Sequence, residues 1–288
     1  MKKRLNLATA IIIFFIAMYT LICLLPMLLV LIVSITDEST LIKEGIKIIP
    51  SKISFLAYRL LFNGASGALG RSYYVTIIST LIGTVIATTI SAMAAYVLND
   101  NSFKGKNVIS FYFYFTMLFN GGMVPWYLIN RTLGLYNNLW ALIIPSLLFS
   151  PYNMFLIRNY MKTLPVSLME SARLDGANSV TIAFRIYLPL SVPVLAAVAL
   201  FYGIGYWNSW WNAIMLIDND KWYPLQFLLL KIRSALAGLK LNGVNNIKVP
   251  GQPLQNATTI VSIGPIIFLY PLLQRYFIKG LVVGAIKG

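Results

Sequence analysis

Long apolar runs, rather than a short-period alternation, dominate the pattern along this chain. Six stretches, about 10–34, 72–98, 108–130, 138–158, 187–212 and 258–279, are almost wholly hydrophobic. Each is close to the roughly 20 residues a helix needs to cross a bilayer. The pattern predicts an all-α, polytopic membrane protein with six transmembrane helices in one domain over residues 1–288. An even number of spans puts both termini on one side, and the opening Lys2-Lys3-Arg4 argues for the cytoplasm. The run from Leu5 to Ser34 is too long for a signal h-region, and no small-residue cleavage site follows it. It is expected to stay as the first span of a multi-pass membrane protein. Two longer outer loops are expected at about 35–71 and 213–257, and a cytoplasmic loop at about 160–188.

Composition agrees. The chain is 58% hydrophobic and 11% charged, against about a quarter charged in soluble proteins. Its 23 Lys and Arg against eight acids would suggest nucleic acid in a soluble protein. Here the cations fall mostly between the apolar runs, where topology and lipid headgroups explain them. Twelve fall on the expected inner side and eleven outside, the latter mostly in the two long loops.

No Asp or Glu lies within any predicted span. A proton- or sodium-coupled carrier usually needs ionisable groups at membrane depth, so an energy source outside the membrane is the more economical reading. There is no histidine, and the one cysteine, Cys23, sits in the first run. General-base triads, zinc sites and intrachain disulfides lose their usual residues. The chain is expected to be no enzyme and to hold no metal or cofactor itself.

The most specific segment runs from Thr163 to Pro193. Pro165 suits the first turn of a helix. That helix would run to Asp175, with Gly176 supplying the left-handed residue that ends it. Asn178 or Ser179 would cap a second helix leading to Leu188-Pro189 and the next span. Leu168, Ala172, Ile182, Phe184 and Ile186 would give apolar contacts, and Glu170, Arg173, Asp175 and Arg185 a polar side. Taken physically, this is either an amphipathic loop resting on headgroups or a helix pair that fits a cleft in a soluble partner.

The spacing resembles the E-A-A, three residues, G, nine residues, I, one residue, L-P signature of importer permeases in the ABC superfamily. Here it reads Glu170-Ser171-Ala172, Gly176, Ile186 and Leu188-Pro189; Asp175, Ala177 and Phe184 fit the version common in sugar permeases, and Ser171 is the departure. The resemblance implies the type I ABC importer permease fold. It also implies a non-catalytic subunit whose coupling helices dock into an ATPase subunit, with Glu170 pairing to a basic residue there and Gly176 making the turn. No G-x-x-x-x-G-K-[ST] loop is present, so ATP and Mg would be bound by that partner.

Other segments resemble the carbohydrate-uptake, MalG-like branch, and within it the subgroup accompanying complex oligosaccharides. They are Ala94-Ala95-Tyr96 with Phe103-Lys104-Gly105-Lys106, Pro125-Trp126 with Leu133-Gly134-Leu135-Tyr136, and the tail from Gln274 to Gly288. The branch implies a second homologous permease, two ATPase copies, an extracellular solute-binding protein and an oligosaccharide substrate. A permease for a non-sugar solute is the alternative, and a secondary carrier the more distant one.

Two substrate-side sets follow. Trp207, Asn208, Trp210, Trp211 and Asn212 would stack and hydrogen-bond a sugar, although interfacial anchoring explains the same tryptophans. Trp222, Tyr223, Lys231, Arg233, Lys240 and Lys248 lie in the last outer loop, which the resemblance assigns to binding-protein contact; a plain docking surface or aromatic belt is the other reading. The outer loops carry eleven cations against five acids, which would suit an acidic substrate.

Overall fold

A computed structural model describes residues 7–63, 67–241, 250–264 and 266–267. Among them the secondary structure is helical, apart from one isolated antiparallel bridge, Thr36 to Ile53. The chain divides into two compact units, one from residues 1–69 with 229–265 and one from 70–228 with 266–288.

The first unit opens with α1 (Leu7–Ser34), followed by α2 (Glu38–Glu44) and α3 (Leu56–Asn63). Only 6% of the most apolar window of α1 is buried within the chain, and side chains from Ile11 to Leu31 stand exposed. A helix this bare needs lipid or another subunit around it. Asp37 starts α2 by accepting from the Ser39 N–H, and Glu38 accepts from the Gln252 N–H at 3.2 Å. Residues 251–264 form a further helix.

The second unit is built on α4 (Ala68–Asn99), whose buried Ala87, Ala92 and Ala95 admit neighbouring helices closely. Then come α5 (Lys106–Leu118), α6 (Met123–Thr132), α7 (Trp140–Ile143), α8 (Pro151–Met161), α9 (Val166–Leu174), α10 (Ser179–Ile182), α11 (Leu188–Leu190), α12 (Val192–Trp207) and α13 (Trp211–Leu216), while α14 (Leu225–Leu241) starts in this unit and belongs to the first from residue 229 onward. Two tyrosines of α12 fasten the core. The Tyr202 hydroxyl meets Ser91 Oγ at 2.6 Å and accepts from the Ser150 N–H at 2.9 Å. Tyr206 donates to the Ile143 carbonyl at 2.9 Å, and its ring lies against Gly83 so closely that a Cβ there would be 2.4 Å from Cζ.

Among the described residues, unbroken spans are fewer than the hydrophobic pattern suggests. Among the described residues α1 and α4 are long and apolar enough to cross a membrane, or four segments if two bent pairs each count as one. The stretch 108–130 breaks between α5 and α6, which meet at 117°. Asn120 accepts from the Gly122 N–H, and Gly122 sits at φ 87°, a left-handed position that glycine takes without steric cost. The stretch 138–158 is not one helix either. Pro145 brings no N–H, Ser146 has φ 66°, and Ser150 with Pro151 starts α8 afresh. The stretch 187–212 ends its helix at Trp207, and α13 begins after a break. Of 258–279, residues 258–264 are helical, and most of the remainder lies outside the described residues.

Candidate functional site

The segment from Pro165 to Pro193 folds as two helices about one tight turn. Pro165 precedes the first turn of α9, and Asp175 ends it. The Ala177 N–H then bonds the Ala172 carbonyl at 2.9 Å and the Gly176 N–H that of Arg173 at 3.1 Å. This is the Schellman arrangement, which needs a left-handed residue; Gly176 fills it at φ 81°. Asn178, not Ser179, caps α10, accepting from the Thr181 N–H at 2.8 Å. Pro189 has no N–H to offer the Arg185 carbonyl, and the chain ahead of it, Ala183–Tyr187, widens into a π-helical turn. The axis bends by 80° at Ser191 into α12.

This pair has an inner and an outer side. Met169, Ile182 and Ala183 are buried in the main core, with Ala172, Ala177, Ile186 and Leu188 packed on it. Glu170, Ser171, Asp175, Gly176 and Pro189 are exposed. So are several apolar side chains, among them Leu168, Leu174 at 89% of its full area, Val180 and Phe184. Leu168 and Phe184 therefore face out rather than supporting the core. Leu174 and Val180 are the additions that sequence reasoning missed; exposed apolar positions flanking a helix-ending glycine are the signal that marks them.

The pair is tied to the end of α4. Arg173 donates to the Asp100 carboxylate at 2.7 Å, so it serves an internal link rather than a free polar face. Tyr96 donates to the Ser179 carbonyl at 2.9 Å, and its ring meets Tyr187 edge-on at 5.3 Å. Burial pushes the Asp100 carboxyl up. The Ser102 N–H and hydroxyl, and then the Arg173 guanidinium, outweigh that and hold it below its ordinary value.

A family model described as "Binding-protein-dependent transport system inner membrane component" matches residues 87–283, and so includes this whole segment. The chain belongs to that family. It is a membrane transport component rather than a catalytic one. Among its relatives is the polygalacturonan/rhamnogalacturonan transport system permease protein YtcP of Bacillus subtilis (strain 168), 34% identical over 95% of this chain and 96% of the relative. Another is the arabinooligosaccharides transport system permease protein AraQ of Halalkalibacterium halodurans, 31% identical over 93% and 92%. A solved bacterial ABC transporter involved in import of the acidic polysaccharide alginate has a chain 29% identical to this one. The match has a TM-score of 0.79 and covers 96% of this chain and 100% of that one.

On this inner-membrane component the other candidates fall into separate places. Trp210 and Trp211 are exposed and in edge-on contact at 5.9 Å. Asn212 is buried and donates to the Pro145 carbonyl at 2.7 Å, and Asn208 accepts from Gln226 at 3.2 Å. Trp207 is buried and packs 6.5 Å from the Tyr73 ring. The described parts of the connection 213–257, residues 213–241 and 250–257, are largely helical. Trp222 lies in the short helix Asp220–Trp222; Tyr223 donates to the Asp218 carbonyl at 3.0 Å and packs on Phe227. Lys231 and Arg233 are exposed along α14. Lys240 is within α14 but its side chain, like all of Lys248, lies outside the described residues.

The sequence reading also passed over Thr76, Thr80, Thr84 and Thr88, four apart along α4. Thr76 accepts from the Leu225 N–H at 2.8 Å, whereas the buried hydroxyls of Thr80, Thr84 and Thr88 have no partner among the described residues. Thr80 and Thr84 line a cavity of about 320 Å³ with Gly203 and Trp207. Their four-residue spacing was the available signal.

Proposed function

We propose that this chain is the permease subunit of an ATP-driven, binding-protein-dependent importer of oligosaccharides. The observation that carries the coupling part of this reading is the helix pair around Gly176. Its outer side joins the Glu170 carboxylate to exposed Leu174, Val180 and Phe184, while its inner side is fixed to α4 through Arg173. An ATPase subunit, binding ATP and Mg itself, docks on that outer side. Glu170 meets a cation of the ATPase, Leu174 and Phe184 enter its groove, and Ser171, Ala172, Asp175, Ile186, Leu188 and Pro189 keep the pair in shape. Closure of the ATPase dimer then pulls α9, and Asp100 and Tyr96 pass the displacement to α4.

The remaining parts of the assembly follow from the same reading. The bare flank of α1 faces lipid and a second, homologous permease. Residues 1–288 form one permease domain with six spans, two of them broken, and both termini cytoplasmic. A solute-binding protein docks from outside on the connection 213–257, near Trp222, Tyr223, Lys231, Arg233 and Lys240. Trp210 and Trp211 offer aromatic faces to sugar rings entering the pathway.

The substrate class rests on the relatives, whose names specify rhamnogalacturonan, arabinooligosaccharides and alginate. Eleven outer cations against five acids favour an acidic chain. Proteoliposomes holding the complete importer and supplied with binding protein and ATP test this. Acidic uronate oligosaccharides are taken up faster than neutral ones of equal length. Equal rates argue against the acidic preference, and ATP-dependent uptake of neither argues against carbohydrate.

A further inference from the structure

Between the start of α5, the end of α8 and the start of α9 lies a cavity of about 410 Å³. Its wall carries three cations, Lys106, Arg158 and Lys162, with the amides of Asn99, Asn101 and Asn107 and the phenol of Tyr187. Among the described residues no carboxylate lines it. The nearest acid in sequence, Asp100, is occupied by Arg173 and Ser102. Arg158 donates to Ser110 Oγ at 3.0 Å and Lys106 to Asn101 Oδ1 at 2.7 Å. The buried Nε of Arg158 has no partner among the described residues. A buried guanidinium N–H left unpaired is costly, as are like charges lining one cavity. An oxyanion in the cavity offsets the repulsion among its three cations.

We propose that this cavity binds the phosphate group of an anionic phospholipid of the inner leaflet. A phosphate diester offers several acceptor oxygens to a guanidinium and two ammonium groups. The flank of α5 leading away from the cavity is apolar and exposed, with Val108 at 74% and Phe111 at 66%, which suits acyl chains. Basic pockets at the cytoplasmic ends of membrane helices hold anionic headgroups on the same chemistry. The bound lipid fills the space behind Val166 and Met169, at the root of α9.

The test is lipid retention by the complete importer in bilayer discs of mixed phosphatidylglycerol and phosphatidylcholine, read by native mass spectrometry. Wild type retains phosphatidylglycerol, and Lys106→Gln/Lys162→Gln and Arg158→Gln each lower retention about tenfold, whereas Arg158→Lys lowers it less. Lys104→Gln, which removes a nearby charge outside the cavity, leaves it unchanged. Thermal unfolding of each variant separates loss of the site from loss of the fold. Equal retention in folded variants overturns the proposal. Occupation by inorganic phosphate with no preference between the two lipids overturns the lipid source.

Discussion

Arg173 of α9 reaches across 73 residues of sequence to Asp100, just beyond the end of α4, and donates to its carboxylate at 2.7 Å. The carboxylate is 15% exposed and the guanidinium side chain 40%, so solvent screens the pair in part. Its worth to stability is about 1 kcal/mol. Its mechanical role is larger, because it is a direct charged link from the proposed docking helix to the longest helix of the second unit. Asp100→Asn and Arg173→Met each lower ATP-driven uptake severalfold while ATP hydrolysis by the assembled importer falls less. A swap of the two charges recovers part of the transport. Uptake and hydrolysis falling in parallel in all three variants contradicts the link.

The same pair has a defined pH dependence. Asp100 is held below its ordinary value of 3.8, so its contribution is present above the unfolded carboxylate range and is lost as pH falls through the lower folded value. The difference in thermal stability between wild type and Asp100→Asn is therefore constant from about pH 5 to 8 and closes only in stronger acid. A difference that disappears near pH 6 rules this out.

Gly83 shows two effects of opposite sign at one site. Replacing a helical glycine by alanine normally gains about 1 kcal/mol. Here the new Cβ would lie 2.4 Å from the Tyr206 ring, and overpacking costs about 1–3 kcal/mol. The clash wins. Gly83→Ala lowers the melting temperature of the detergent-solubilised protein, and adding Tyr206→Leu recovers part of the loss. A gain in stability from Gly83→Ala alone contradicts the close approach.

Tyr202→Phe removes a hydroxyl shared by Ser91 Oγ and the Ser150 N–H. Both groups lose a buried partner, at about 1–3 kcal/mol each. The start of α8 loosens, and amide exchange over 150–154 accelerates relative to wild type. Unchanged exchange there argues against the bond.

How legible this was depended on the range of the signal. The turn at Gly176 and the cap beside it follow from residues adjacent in sequence, so the helix pair was readable in outline. The partner of Arg173 was not, since nothing local points from α9 to Asp100. The cations Lys106, Arg158 and Lys162 likewise sit at the ends of two separate apolar runs and meet only in the fold. The helix breaks had visible signals in Gly121-Gly122, Pro145 and Ser150-Pro151, but continuous hydrophobicity hid them. An apolar run reports burial or lipid and does not report a straight axis.

Retention of the ATPase subunit tests the central claim most directly. The permease is solubilised with its partners, purified by a tag on this chain, and the co-purified ATPase is quantified for wild type and Glu170→Ala. Glu170 is exposed, and its side chain makes no hydrogen bond or ion pair among the described residues, so the chain itself stays folded. Docking through the helix pair predicts that Glu170→Ala retains several-fold less ATPase and that Gly176→Pro, which breaks the turn, retains almost none. Wild-type ATPase retention and wild-type ATP-driven uptake in both variants would contradict it.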